Sequence, residues 1–287
     1  MNSTDGNLIS LPNLSGVGFE KIWSESVFVI SLIFGAIPVV PCFITLIIIL
    51  LNKNLRKEHN IIPFNIILSD LSVAIISLYL FATANLHVDI NFNRLMMALN
   101  IPFDFTSLLL ILLAALHQFI TIRVDPFGAH HIITPPRIIC ACVVTWLIPA
   151  ISMAPILWAR SHTFFFSVIL LWIGIGVMAL TGLFYVLIYR SISSNPPGLS
   201  FSEERKRENK TVFHTILLVY LTTLIPRIIN ALSFFILIHH PSAIVMLLGN
   251  IALYVSRVLN TLVYWWRQKE FRALITQCRK TKVDIEY

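Results

Sequence analysis

Charge is the first thing this sequence has little of. Of its 287 residues only 12% are charged, while 57% are hydrophobic. Soluble domains carry about 25% charge, so an ordinary soluble fold is excluded and a membrane protein is indicated. Cysteine pairs outside the membrane are also missing. Cys42, Cys140 and Cys142 fall in hydrophobic stretches and Cys278 in the basic tail, so no disulfide framework is expected. The opening MNSTDGNLISLPNLSG has neither the basic flank nor the apolar core of a cleavable signal. The first hydrophobic stretch is therefore expected to serve as its own anchor. No internal repeat, low-complexity tract or separate soluble domain breaks the chain.

Catalytic signatures are lacking too. There is no HExxH zinc motif and no G-x-S-x-G nucleophile elbow. Most of the nine histidines sit at or near the ends of hydrophobic stretches. His117 alone is deeper, and a single histidine there reads as a hydrogen-bonded helix residue. Asp70 and Asp104 resemble a proton-sharing carboxylate pair, but Arg257 at the same depth favours ionisation of both. Paired Gly/Pro-broken helices, the mark of many transporters, are absent. No catalytic residue, metal site or cofactor is expected, and enzyme and transporter readings are set aside.

What the sequence does have is apolar length. Runs of about 20 residues or more, enough to span a bilayer, cover 26–51, 61–84, 96–122, 138–159, 164–190, 211–238 and 242–266; these are spans one to seven. Lys53, Arg56 and Lys57 follow span one, and Arg123 and Arg137 flank the loop after span three. Arg190, Arg205, Lys206, Arg207 and Lys210 lie between spans five and six. The tail adds Arg267, Lys269, Arg272, Arg279, Lys280 and Lys282, against Lys21, Arg94 and Arg160 on the other side. This bias places the amino terminus outside and the carboxyl tail in the cytosol. It explains the net charge of +7 without a nucleic-acid partner; the basic loops face anionic lipid and cytosolic proteins. The expected organisation is an extracellular tail at 1–25, a seven-helix membrane domain at 26–266, and an amphipathic eighth helix with cytoplasmic tail at 267–287. The fold class is an all-α seven-transmembrane helix bundle. Asn2 and Asn13 head glycosylation sequons on the outer side. Cys278, beside the basic amphipathic segment, is a candidate for palmitoylation or a plain free thiol.

Asp70, Asp104, Arg227 and Arg257 lie well inside spans, where charge costs several kcal/mol unless paired or hydrated. At about 1.5 Å per residue, Asp70, Asp104 and Arg257 each sit roughly 15 Å deep, near the midplane of a core about 30 Å thick. Matched depth makes Asp70 the expected partner of Arg257, with Asp104 a third member. Arg257, Asn260 and Tyr264 fall at i, i+3 and i+7, on one face of span seven. Such a network glues helices together and is open to a switching role as well. Two aspartates and one arginine do not balance, so either one aspartate keeps a proton or a small cation joins them.

Arg227 follows Pro226 in the outer half of span six. Pro226 cannot donate its amide and crowds the carbonyl of Thr222, so a kink is expected there. Thr223, Arg227, Asn230 and Phe234 share a face, and Asn250 and Tyr254 lie on span seven above Arg257. These six are the expected lining of a ligand pocket in which Arg227 attracts an anionic or hydrogen-bond-accepting group. The alternative is an internal pair for Arg227, with Asp104.

Several of these stretches resemble the rhodopsin-like (class A) G-protein-coupled receptors. NTLVYWWRQKEF is similar to the family's N-P-x-x-Y and eighth helix, with Asn260 and Tyr264 in place, Thr261 for the proline and Phe271 as the helix-eight aromatic. LNKNLRKEHNIIPFNIILSDLSVAI resembles the first cytosolic loop and second helix, with Asp70 at the family's buried aspartate. Trp146 and Pro226 fit the fourth-helix tryptophan and sixth-helix proline. The resemblance covers the whole membrane region and implies a plasma-membrane receptor of divergent, orphan type, with an extracellular ligand between helices three, six and seven and a heterotrimeric G protein as partner. It also implies a cytoplasmic coupling face, here Phe119, Arg123, Arg205 and Lys206.

The departures are informative. Counting back from Pro126, Gln118, Phe119 and Ile120 stand where the family has Asp/Glu-Arg-Tyr, with Arg123 one turn beyond. Leu224 replaces the sixth-helix tryptophan, Cys42 falls near the first-helix asparagine, and the family's disulfide and long second outer loop are missing. In the family the buried aspartate binds sodium; Arg257 would occupy that neighbourhood, so weak or no sodium dependence is expected. The missing arginine keeps a rival open: a seven-span protein that has lost coupling and acts as a scaffold or receptor partner.

Overall fold

The computed structural model describes residues 25–56, 58–83, 90–125, 131–152, 163–193, 203–239, 242–267 and 271. Among the described residues every regular element is helical. Seven helices are long and apolar enough to cross a membrane, and the chain is a multi-pass membrane protein with an all-α bundle fold. Helices are the solution a bilayer imposes on such sequences, because each backbone donor and acceptor finds its partner within the same segment.

Span one is two helices, Glu25–Ala36 and Val39–Leu51, rather than the single expected helix. The reason lies in its prolines. Pro38 has no amide to give the carbonyl of Phe34, and Pro41 has none for Ile37. Helical contacts resume at once, with Ile37 N donating to Ile33 O at 3.2 Å and Cys42 N to Pro38 O at 3.2 Å. Span two is Ile61–Thr83, preceded by two short turns, Lys53–Leu55 and Glu58–Asn60. Span three begins earlier than its apolar run, at Ile90, and its α-helix ends at Phe119. The chain then widens into a π-turn over Ile120–Val124. Span four is Pro135–Ser152, span five Thr163–Ser193, span six Glu203–His239 and span seven Ala243–Arg267. Span six is one continuous helix with Pro226 inside it.

The packing is a closed ring with one helix outside it. Span one touches two and seven, two touches three, three touches five, five touches six, and six lies along seven in the most extensive contact. Span three also meets span six across the middle, and span four packs on spans two and three from outside the ring. Successive spans run in opposite directions, so the bundle has a Leu51 end and a His239 end. Large apolar side chains such as Phe43, Leu147, Trp172, Leu183 and Leu232 point outward and are exposed. Patches of that extent would aggregate in water; in lipid they are the expected surface.

Inside, Ile66, Ile67, Leu110, Ile111, Ile188 and Val219 are fully buried or nearly so. A bilayer gives little hydrophobic drive between helices, so buried polar contacts register the spans against one another. Trp146 Nε1 donates to Asn65 Oδ1 at 3.0 Å and its ring meets Phe103 edge-on at 5.6 Å. Trp265 Nε1 donates to Thr45 Oγ1 at 2.6 Å and stacks on Phe271. Cys42 Sγ lies 3.3 Å from Thr261 Oγ1, joining span one to span seven.

Candidate functional site

The four intramembrane charges converge on one region, with Asp104 at its centre. Arg227 grips Asp104 with both arms of its guanidinium, Nη1 donating to Oδ2 at 2.5 Å and Nη2 to Oδ1 at 2.7 Å. Nη2 also reaches the Asp104 carbonyl at 3.3 Å. Arg257 Nη2 donates to the same Oδ1 at 3.2 Å. One carboxylate of span three thus holds guanidiniums from spans six and seven. A planar fork matched to a carboxylate is the strongest geometry this pairing offers.

Asp70 is held differently. Ser107 Oγ donates to its Oδ1 at 2.9 Å and Asn260 Nδ2 to its Oδ2 at 3.4 Å. Asn260 Oδ1 in turn accepts from Thr222 Oγ1 at 2.8 Å and Thr223 Oγ1 at 3.3 Å. A second junction therefore links span two to spans three, seven and six through neutral groups.

Arg257 makes its ion pair with Asp104, not with Asp70 as its depth suggested. Side chains on a helix lean toward that helix's own amino terminus. Spans three and seven both start at the His239 end, so Asp104 and Arg257 lean the same way and meet. Span two starts at the Leu51 end, so Asp70 leans away from Arg257 and toward Asn260, one turn further along span seven. Span six also starts at the Leu51 end, so Arg227 reaches back down to Asp104. Of the two readings left open for Arg227, the internal pair is the one formed, and its charge is engaged by Asp104 rather than left free. With Arg227 included, two aspartates face two arginines, and the formal charges of the four balance without a proton or an added cation.

The cluster also marks a change in burial along three inward-facing stripes. On span three Asn100, Ile101 and Asp104 are half-buried, whereas Leu108, Ile111 and Ala115 on the same face are buried. On span six Arg227, Asn230 and Phe234 are half-buried, whereas Val219, Tyr220 and Thr223 are buried. On span seven Asn250 and Leu253 are half-buried, while Tyr254, Arg257, Asn260, Thr261 and Tyr264 are buried. These residues face the bundle rather than lipid, since Ile225, Ile228, Ile229 and Leu232 occupy the opposite, exposed face of span six. The partial exposure of these inward faces marks a recess toward the His239 end with the Asp104–Arg227 pair at its floor, closed on its span six–span seven side where buried Ser233 and Gly249 pack together. The side chains of Asp104 and Arg227 are 24% and 22% exposed, against 6% for Arg257 beneath them.

The six residues expected to line one pocket are distributed over this region. Thr223 lies below the floor, bonded to Asn260. Arg227 is the floor, and Asn230, Phe234 and Asn250 are half-buried above it. Asn230 and Ser233 lie so close to Gly249 that a Cβ there would sit 3.1 Å from Asn230 Nδ2 and 3.0 Å from Ser233 Cβ. Tyr254 is a buried wall, edge-on to Phe81 of span two and carrying the Arg257 guanidinium 5.4 Å from its ring centre. That cation–π contact helps hold Arg257 in place. Tyr264 is buried one turn beyond Asn260.

At the Leu51 end, Phe119 packs against Phe184 of span five with ring centres 5.5 Å apart, and Arg123 is exposed on the π-turn. Arg205 and Lys206 lie on the span-six helix, but their side chains fall outside the described residues; so do Asn2, Asn13, Cys278 and the expected eighth-helix segment, apart from Arg267, which ends span seven, and buried Phe271. Sequence reasoning missed two features here. Gln118 is 3% exposed, with both amide atoms buried and unpartnered among the described residues. Arg257 Nη1 is likewise buried without a partner among the described residues. The signal for Gln118 was its polar amide beside the span's end; the signal for Arg257 was its charge, but neither reveals a missing contact. The sequence matches no protein-family model and no curated protein.

Proposed function

We propose that the chain is a divergent rhodopsin-like G-protein-coupled receptor of the plasma membrane, with its amino terminus outside and its carboxyl tail in the cytosol. The Lys/Arg bias of the loops on the Leu51 side supports this orientation, and Asn2 and Asn13 then fall where glycosylation occurs. In this reading the recess between spans three, six and seven opens to the outside and receives the ligand. The observation that carries the reading is the floor of that recess. Asp104 ties span six to spans three and seven through Arg227 and Arg257, so a ligand arriving there acts on the contact that holds span six. Span six then tilts, and its charged extension Glu203–Lys210 meets a heterotrimeric G protein with Arg123, Arg205 and Lys206.

A second reading keeps the fold and removes the coupling. Phe119, standing where the family carries an arginine, is packed against Phe184 and presents no charge to a G protein. A receptor partner or scaffold fits that detail. Second-messenger assays in cells expressing wild type and Phe119→Arg separate the two. Basal or ligand-evoked signalling by wild type excludes the scaffold; silence in wild type with signalling restored in Phe119→Arg establishes it.

A further inference from the structure

We infer that the recess takes a monoanionic carboxylate, and that this ligand works by exchange: it replaces Asp104 on Arg227 while Asp104 passes to Arg257. The inference rests on the receptor reading for its consequence in signalling, but not for the exchange itself.

Three observations point to it. The first is stoichiometry. Asp104 serves two guanidiniums while Asp70 is served by neutral donors, so the floor formed by Asp104, Arg227 and Arg257 carries a formal charge of +1 on the side facing the recess. The compensating Asp70 lies on the closed side, bonded to Ser107 and Asn260. A single added negative charge is what that floor attracts.

The second is asymmetry of the two arginines. Arg227 holds Asp104 through both terminal nitrogens, and its side chain is partly open to the recess. Arg257 holds the same carboxylate through Nη2 alone, and its Nη1 is buried with no partner among the described residues. A buried guanidinium nitrogen left unbonded is destabilising. A move of Asp104 toward Arg257 lets Nη1 take Oδ2 as Arg227 lets it go, giving Arg257 the fork that Arg227 has now. Asp104 is never left without a cation, which avoids the large cost of an unpaired buried charge.

The third is access. Asn230 and Phe234 continue the inward, half-buried stripe above Arg227; Gly249 of span seven lies against Asn230, with half-buried Asn250 next to it in the chain. Asn230 and Asn250 offer hydrogen bonds to a polar group at the floor, and Phe234 with Leu253 offers apolar wall to a short tail. After exchange the ligand carboxylate is bound to span six and Asp104 to span seven, so the span three–span six tie is gone.

The test uses the full chain in lipid nanodiscs, with butyrate as the probe and butyramide as its uncharged counterpart. Spin labels go at Thr121→Cys and Thr211→Cys, both exposed near the Leu51 end, in a background with Cys140 and Cys278 changed to serine. Butyrate is expected to lengthen the label distance in the otherwise wild-type protein, and butyramide to leave it unchanged. Asp104→Asn is expected to show the long distance without any probe and to bind butyrate about tenfold tighter, because the internal competitor has gone. Arg227→Gln should show the long distance and no butyrate response. Arg257→Gln should weaken butyrate binding about tenfold, because Asp104 then has nowhere to move. A wild-type distance indifferent to butyrate overturns the exchange without need of any variant. Butyrate affinity equal in wild type and Asp104→Asn overturns the competition. A butyrate-driven distance change with no second-messenger response leaves the exchange standing and sinks the receptor reading instead.

Discussion

Asp70 and Asp104 sit at similar depth in the same bundle, yet their surroundings have little in common. Asp70 is 3% exposed and bonded to a serine and an asparagine, the asparagine being held in turn by two threonines. Asp104 is partly exposed and bonded to two arginines. Neutral donors fix the Asp70 junction through several modest bonds that share the load. Asp104 instead concentrates the connection between three spans in one carboxylate. The first arrangement suits a rigid joint and the second a joint that can change partners.

The contrast breaks most severely at Asp104. Asp104→Ala leaves two guanidiniums facing each other in a low dielectric, and its expected cost is at least about 3–5 kcal/mol. Surface expression and the thermal midpoint of purified protein should both fall sharply, and a near-native midpoint would mean that the arginines find water or other partners. The next largest effect concerns Arg257. A double-mutant cycle of Arg257→Leu with Asp104→Asn should show coupling of about 1–3 kcal/mol. The parallel cycle with Asp70→Asn should show distinctly less, since no hydrogen bond or ion pair joins those two side chains. Equal coupling in both cycles would restore Asp70 as the true partner.

Asp70→Asn alone is expected to cost about 1–2 kcal/mol. Its side-chain oxygen keeps the Ser107 bond while its amide opposes the Asn260 amide until one of them flips. A loss as large as that of Asp104→Ala would erase the distinction between the two junctions. The smallest effects belong to the threonines. Thr222→Val and Thr223→Val each remove one donor to Asn260 and should lower stability by about 0.5–1.5 kcal/mol. The double change should exceed either single one, because Asn260 Oδ1 is then left without a donor from span six.

Much of this arrangement is legible in the sequence because membrane physics leaves few choices. Apolar length yields the seven spans, and their helical state follows from the bilayer. The depth of Asp70, Asp104 and Arg257 follows from counting residues, and the shared face of Arg257, Asn260 and Tyr264 from helical periodicity. The pairing was not legible from depth alone. Cα height treats a side chain as a point, whereas an arginine reaches several ångströms along its helix, in a direction set by whether the chain runs up or down. Applying that lean to Asp70 and Asp104 turns Arg257 from the first to the second. The break in span one had a visible cause in Pro38 and Pro41, but a hydrophobic run conceals it. The unbonded Nη1 of Arg257 and the buried Gln118 amide depend on packing at sub-ångström detail, for which no residue pattern stands in.

The central claim is that the Arg227–Asp104 pair restrains span six in a receptor. Basal second-messenger output of Arg227→Gln, normalised to surface protein and set beside wild type, tests it most directly. Removing the arm of span six should raise basal output several-fold at equal surface density. Output equal to or below that of wild type, from protein that reaches the surface intact, would contradict the account.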